Sequence, residues 1–191
     1  AGAVGALAGQ LARLRGCRVV GIAGRADKCA YLTGELGFDA ALDRSDGDFA
    51  AALRAACPAG IDVYFDNTGG EVLARVLPLL NPFARVPVCG QIAHYNGVSD
   101  ADEPDSLALL MGLILVRRIR VEGFIISDHA AAMPAFRREM AAALSTDRIK
   151  QREQVIEGLE QAPAAFRALL RGETFGKALI RVSPDPTAAP P

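Results

Sequence analysis

The chain has 191 residues, 51% of them hydrophobic and 23% charged, with 21 Lys and Arg against 22 Asp and Glu and a formal net charge of -1. That balance excludes recognition of nucleic acid by a broad basic field, and the length suits one soluble domain with a small appendage, able to bury a core without disulfides or a structural metal. The longest apolar run, Leu107 to Val116, is about half of the ~20 residues that cross a bilayer, so no membrane segment is expected. No charged stretch precedes an apolar one in the manner of a signal peptide. Cys17, Cys29, Cys57 and Cys89 lack metal-ligand spacing and read as small buried residues in a reducing cytoplasm. The chain opens without methionine, inside a glycine-rich turn, as part of something longer would.

Short β-branched runs alternate with helical stretches, the pattern of βα units on a parallel sheet. Val4 to Arg15 reads as a helix with Leu7, Leu11 and Leu14 on one stripe, ended by Gly16. Arg18 to Ala23 is a buried strand, and Lys28 to Leu36 a helix with Tyr31, Leu32 and Leu36 inward, stopped by Gly37. A brief strand at Ala40 to Leu42 precedes a helix from Phe49 to Cys57, and Ile61 to Phe65 is the next strand. Val72, Leu73, Val76, Leu77 and Leu80 recur at helical spacing. The strand Ala84 to Cys89 tolerates Pro87 only near an edge or where no ladder bond goes missing. After the acidic loop Ser99 to Asp105 come a helix (Leu107 to Val116), a strand (Arg120 to Ile126) and a helix (Ala131 to Leu144). The end holds a strand at Gln154 to Ile156, a helix at Pro163 to Leu170 with proline in its first turn, a strand at Ala178 to Val182, and a tail disordered by composition.

Three places carry chemistry. The opening AGAVGALAG sets Gly2 and Gly5 before a helix, where bare backbone approaches a pyrophosphate held by the helix N-terminus. Gly9 then allows close helix–sheet packing; small residues in a first helix serve packing alone equally well. The strand Arg18 to Ala23 is followed by Gly24 and Arg25, then Lys28, where an NAD site carries an acid for the ribose hydroxyls. Small and basic residues there suit a 2′-phosphate, the alternative being a solvated helix start; Asp27 serves the helix dipole. The third place is IDVYFDNTGGE, a strand ending at Asn67, which offers donor and acceptor to a ribose or carboxamide beside two glycines. An ordinary turn capped by Asp or Asn is the other reading. The next strand also ends in small and polar residues, CGQIAHYN, so two strand ends converge.

AGAVGALAGQLARLRGCRVVGIAG, FDNTGGEVLARVLPLL, VPVCGQIAHYN, VEGFII and FGKALIRV, in this order, resemble the medium-chain dehydrogenase/reductase superfamily. The nearest branch in resemblance is the zinc-independent one of the leukotriene B4 12-hydroxydehydrogenase/15-oxo-prostaglandin 13-reductases and the bacterial enone and curcumin reductases. The resemblance implies a Rossmann-like, doubly wound parallel α/β sheet lacking its first strand. It divides the chain into a cofactor domain (1–149), a segment (150–183) that returns to an N-terminal GroES-like catalytic domain, and the tail (184–191). It also implies NADP as cofactor and reduction of the C=C bond of α,β-unsaturated ketones or aldehydes by hydride transfer to the β-carbon, with a quinone reductase or an idle NADP sensor as rivals.

By match to that family, Gly2, Ala3, Val4 and Gly5 form the pyrophosphate turn, and Lys28 holds the 2′-phosphate with Gly24 and Arg25 beside it. Asn67 lies near the nicotinamide, Cys89, Gly90 and Ile92 line the cofactor, and Phe124, Ile125 and Ile126 flank the ring. Tyr95 stands beside the reacting centre as a hydrogen-bond donor, or as a loop aromatic. Arg44 stands where relatives often have tyrosine, Thr174 replaces an asparagine, and the acidic loop Asp100 to Asp105 leaves substrate preference open. His94 and His129 are too isolated for zinc. The strand Val121 to Ile126 is an expected homodimer seam. The returning strands are expected to lack partners, and the fragment alone to bind cofactor poorly and reduce nothing.

Overall fold

In the computed structural model the described residues are 1–92 and 106–184. Among them seven α-helices and seven strands alternate: α1 (Ala3–Leu14), β1 (Val20–Ala23), α2 (Ala26–Gly34), β2 (Ala40–Asp43), α3 (Phe49–Ala56), β3 (Ile61–Val63), α4 (Gly70–Val76), β4 (Leu80–Val88), α5 (Ser106–Arg117), β5 (Arg120–Gly123), α6 (Met133–Ser145), β6 (Glu153–Glu157), α7 (Ala162–Leu170) and β7 (Lys177–Arg181). Every strand pair is parallel. The strands form not one sheet but three: β1-β2, β3-β4-β5 and β6-β7. The β1-β2 and β3-β4-β5 ladders share no hydrogen-bonded strand.

Packing restores what the ladders do not join. Val20 and Ile22 of β1 pack with Phe49, Leu53, Val76, Leu80 and Val86 in one core, on which α3, α4 and α5 lie. Ala23 on the other face of β1 packs with Tyr31, Leu32, Leu36 and Phe38, covered by α1 and α2. The same short strand therefore has helices on both faces, the doubly wound arrangement, and alternation along β1 assigns each side chain to its layer. Leu32, Leu53, Leu80 and Val76 are fully buried, at about 1.5–3 kcal/mol for each larger side chain.

Glycines set several boundaries. Gly16 has φ +80° behind α1, and Gly37 has φ +68° behind α2, both in the left-handed backbone that ends a helix. Gly9 meets the ring of Phe38: a Cβ there would lie 2.1 Å from Cζ. The ring has nowhere to retreat, because a Cβ on Gly21 of β1 would also lie 2.9 Å from it.

Several expectations are corrected. Leu80 opens β4 rather than closing α4, since the chain leaves α4 through a 3₁₀ turn at Leu77–Leu79 around Pro78, which has no N–H for a helical bond. β3 stops at Val63, short of Phe65. Pro87 lies inside the central strand; its carbonyl accepts from Asp66 N at 3.0 Å, but it has no N–H to return to β3. A register shift pairs Ile61 with Leu80 but Val63 with Arg85, and Phe83 in the bulge takes φ +64°. β5 ends at Gly123, and Ile126 begins a 3₁₀ segment, Ile126–Ala132, ahead of α6. The returning strands do have a partner, since β6 and β7 pair with each other from Glu153↔Lys177 to Glu157↔Arg181. Of the expected disordered tail, all but Pro184 lies outside the described residues, as does the acidic loop.

Gly9→Ala is predicted to cost about 1–3 kcal/mol by overpacking, read as a lower urea midpoint. Gly5→Ala, whose new methyl would meet nothing within 4 Å, serves as control and should change stability far less.

Candidate functional site

Gly24, Arg25, Arg44, Asn67, Cys89, Gly90 and Phe124 follow the carboxyl ends of β1, β2, β3, β4 and β5, where open parallel sheets bind ligands. At the first of these ends the chain turns through Gly24 and Arg25 into α2. Arg25 Nε donates to Asp27 Oδ1 at 2.9 Å, and its Nη1 to the Glu173 carbonyl at 3.3 Å. The Arg25 hydrogen bond holds the Asp27 carboxyl down at about 2. Lys28 is buried, and its Nζ donates to the Gly172 carbonyl at 2.6 Å. Burial, then the neighbouring Arg25 guanidinium, lowers its pKa. Arg44, just past β2, reaches back across: a Cβ on Gly24 would sit 3.3 Å from Arg44 Nε. Among the described residues neither Lys28 nor Arg44 is in an ion pair.

Behind these cations lies the turn before α1. Gly2 is the N-cap, without a side-chain cap bond, and the first helical turn has no acid. Added methyls at Gly2 and Gly5 would meet nothing within 4 Å, and Ala3 and Val4 are exposed between them. One edge of the turn is bridged to the C-terminal segment, where Gly176 N donates to the Ala1 carbonyl at 3.3 Å. Thr174, two residues earlier, is buried.

The converging ends of β3 and β4 are tied by backbone. Cys89 N and Gly90 N both donate to the Asp66 carbonyl, at 2.7 and 3.2 Å. Asp66 is 1% exposed, and its Oδ1 accepts from Thr68 N at 3.0 Å, Gly69 N at 2.8 Å and the Tyr64 hydroxyl at 3.2 Å. Burial, then the Asp66 charge, pushes the Tyr64 hydroxyl pKa upward. Asp66 is thus the turn residue of the plainer reading, and it fixes the backbone that presents Asn67. Asn67 Oδ1 lies 3.0 Å from where a Gly90 Cβ would be, so any side chain at 90 would crowd it. Gly69, at φ 68° and ψ -156°, holds a conformation open to glycine alone. The backbone itself requires this glycine.

A cleft of about 320 Å³ opens beside Arg44, with Phe49, Thr68, Val72, Ile92 and the end of α7 around it. Phe124, Ile125 and Ile126 follow Gly123, which pairs with Val88 just before Cys89. Phe124 is half-buried, with its ring 6.1 Å from that of His129; Ile125 and Ile126 are 67% and 63% exposed. Tyr95 lies outside the described residues. No group of three or more His, Cys, Asp and Glu side chains comes together among the described residues. No helix among them is long and apolar enough to cross a membrane.

No site residue is expected from the sequence in 169–173, yet the end of α7 and the turn behind it close one wall of the cleft and supply both carbonyls that bind Arg25 and Lys28. The visible signal was Gly172, directly behind a helix: it takes φ +70°, and its N–H bonds back to the Leu169 carbonyl at 3.0 Å.

Asp66→Ala is predicted to strand the buried N–H of Gly69 and to cost at least about 2 kcal/mol. Asp66→Asn, which keeps an acceptor oxygen, should retain most of that stability; denaturant unfolding of both variants checks the difference.

Residues 3–145 match the family described as zinc-binding dehydrogenase. The chain is 50% identical over 185 residues to the NADPH-dependent curcumin reductase of Escherichia coli (strain K12), covering 96% of this chain and 54% of that protein. It is 38% identical over 183 residues to the 2-alkenal reductase (NADP(+)-dependent) of Nicotiana tabacum, covering 95% and 52%. The crystal structure of CurA from Vibrio vulnificus in complex with NADPH superposes with a TM-score of 0.93 at 44% identity, covering 96% of this chain and 55% of that one. The chain spans about half the length of the curated relatives it matches. With its fold and three-quarters of its length accounted for in this way, the chain belongs to the zinc-binding dehydrogenase family, of which it represents the Rossmann-like cofactor-domain part.

Proposed function

We propose that the intact protein is an NADPH-dependent oxidoreductase reducing the C=C bond of α,β-unsaturated ketones and aldehydes, and that this chain is the part that holds the cofactor. The observation carrying the cofactor reading is the meeting of Arg25, Lys28 and Arg44 at the ends of β1 and β2. A second phosphate on the adenosine ribose finds there two cations outside any described ion pair, where a site for unphosphorylated ribose would present a carboxylate. The open faces of Gly2 and Gly5 leave room for a pyrophosphate to touch backbone ahead of α1. The relatives' names, curcumin reductase and 2-alkenal reductase, support the substrate class.

When bound, the reduced nicotinamide supplies a hydride for the β-carbon. This chain's residues orient and polarise. Asn67, fixed by the Asp66 turn and crowding Gly90, is positioned to hold the nicotinamide or its ribose, while Cys89 and Ile92 line the cofactor and Phe124, Ile125 and Ile126 shield the ring from water. Tyr95 is assigned the hydrogen bond to the substrate oxygen, where negative charge develops; with an ordinary pKa of about 10 a tyrosine is a neutral donor at pH 7. Thr174 is assigned a cofactor contact beside the glycine turn. Residues 1–149 are assigned to the cofactor domain and 150–183 to the returning segment, and the zinc-independent reading rests on the isolated histidines, His94 and His129. A homodimer through β5 is supported by that strand's exposed residues, with Val121 at 39%, continued by Ile125 and Ile126. The four free cysteines suit the cytoplasm.

Lys28→Ala tests the cofactor assignment. In the intact protein it should reduce NADPH affinity roughly 10- to 100-fold, the worth of one charged hydrogen bond, while NADH affinity changes little. Titration with both nucleotides reads the ratio, and an unchanged preference would refute the role of Lys28. The pH dependence has a definite sign: a 2′-phosphate takes up its proton near about pH 6, so NADPH affinity should fall below that pH while NADH affinity does not.

A further inference from the structure

Arg171 sits at the end of α7, and its guanidinium bonds Glu173 through Nε at 2.7 Å and Nη2 at 3.1 Å. Both side chains are exposed, at 58% and 52%, so the pair is weak and easily exchanged. Its surroundings are unusual. The backbone between its two members is the segment on which the cation cluster rests, with Lys28 Nζ on the Gly172 carbonyl and Arg25 Nη1 on the Glu173 carbonyl. Arg44 Nη2 lies 4.0 Å from where a Gly172 side chain would begin. Arg44, Arg171, Gly172 and Glu71 line the same cleft. Glycine at 172 brings no side chain into the cleft, and a Cβ there would have only Arg44 Nη2 among the atoms it reaches.

Building on the NADPH reading, we propose that Arg171 is a further specificity residue for the 2′-phosphate, and that Glu173 is its internal anion, displaced when the phosphate arrives. A phosphate offers a guanidinium a bidentate, charge-assisted partner of higher charge than a carboxylate, and Glu173, already half exposed, turns to solvent. The exchange needs no movement of the backbone that carries the Lys28 and Arg25 bonds. The C-terminal segment thereby contributes a side chain, and not only a wall, to discrimination between the two nicotinamide nucleotides. The Glu173 carboxyl, held below its usual range by the Arg171 hydrogen bond, is consistent with an anion held at this position.

The test is equilibrium titration of the intact protein, wild type, Arg171→Ala and Glu173→Gln, with 2′,5′-ADP and with 5′-AMP. Arg171→Ala is expected to weaken 2′,5′-ADP about 10-fold while 5′-AMP stays within about twofold, and Glu173→Gln to tighten 2′,5′-ADP by about threefold or more. Wild-type protein that binds 2′,5′-ADP no better than 5′-AMP would defeat the NADPH reading itself. Wild-type protein that discriminates, with Arg171→Ala either keeping all of that discrimination or weakening both ligands equally, would overturn the role of Arg171 alone. A Glu173→Gln variant no tighter than wild type would overturn the displaced-anion role.

Discussion

A buried ammonium must be solvated by the protein, and Lys28 receives this from one carbonyl, that of Gly172 at 2.6 Å. The contact joins parts of the chain 144 residues apart and decides where the C-terminal segment lies. Other contacts repeat the linkage. The Gln10 amide bonds both backbone groups of Lys150, donating to the carbonyl at 2.9 Å and accepting from the N–H at 2.8 Å, in place of a strand partner. The Tyr31 and Phe175 rings meet edge to face at 5.1 Å, and the Arg152 guanidinium lies 4.0 Å from the Phe175 centroid. With the Gly176–Ala1 bond, these contacts hold residues 150–177 against α1 and α2 and wall the candidate site on that side.

The division of the strands into separate sheets leaves this site intact. The β1-β2 and β3-β4-β5 ladders share no hydrogen-bonded strand, yet one core runs beneath both. Position at the site is therefore set by packing of Phe49, Leu53, Val76 and Leu80 more than by hydrogen bonding across the gap. Electrostatics then divides the labour: cations at the ends of β1 and β2, and a crowded turn organised by the buried Asp66 carboxylate at the ends of β3 and β4. Such an arrangement suits a ligand with charge at one end and a reacting ring at the other.

Local signals carried much of this into the sequence. The helix-ending glycines 16 and 37, the close packing at Gly9 and the convergence of Asn67 with Gly90 were legible because each depends on a few neighbouring residues. Element ends were less legible: Pro78 turns the chain out of a helix whose apolar spacing runs on to Leu80, and Pro87, inside β4, has no N–H for the chain beyond β3. The pairing of β6 with β7 was missed because both strands read as partners of another domain, and nothing in either sequence tells one parallel neighbour from another. Residues 171–173 went unnoticed for a different reason. Two of their three contributions to the site are backbone carbonyls, which any sequence could supply, and only the fold brings them to Arg25 and Lys28.

All of the functional account rests on positive charge at the ends of β1 and β2 meeting a phosphate on the adenosine ribose. The ³¹P NMR titration of NADP⁺ bound to the intact protein tests this directly, because the 2′-phosphate resonance reports its own protonation. Contact with Lys28, Arg25 and Arg44 should keep that group dianionic well below its ordinary pKa of about 6. A bound 2′-phosphate that titrates as it does in free NADP⁺ would contradict the account.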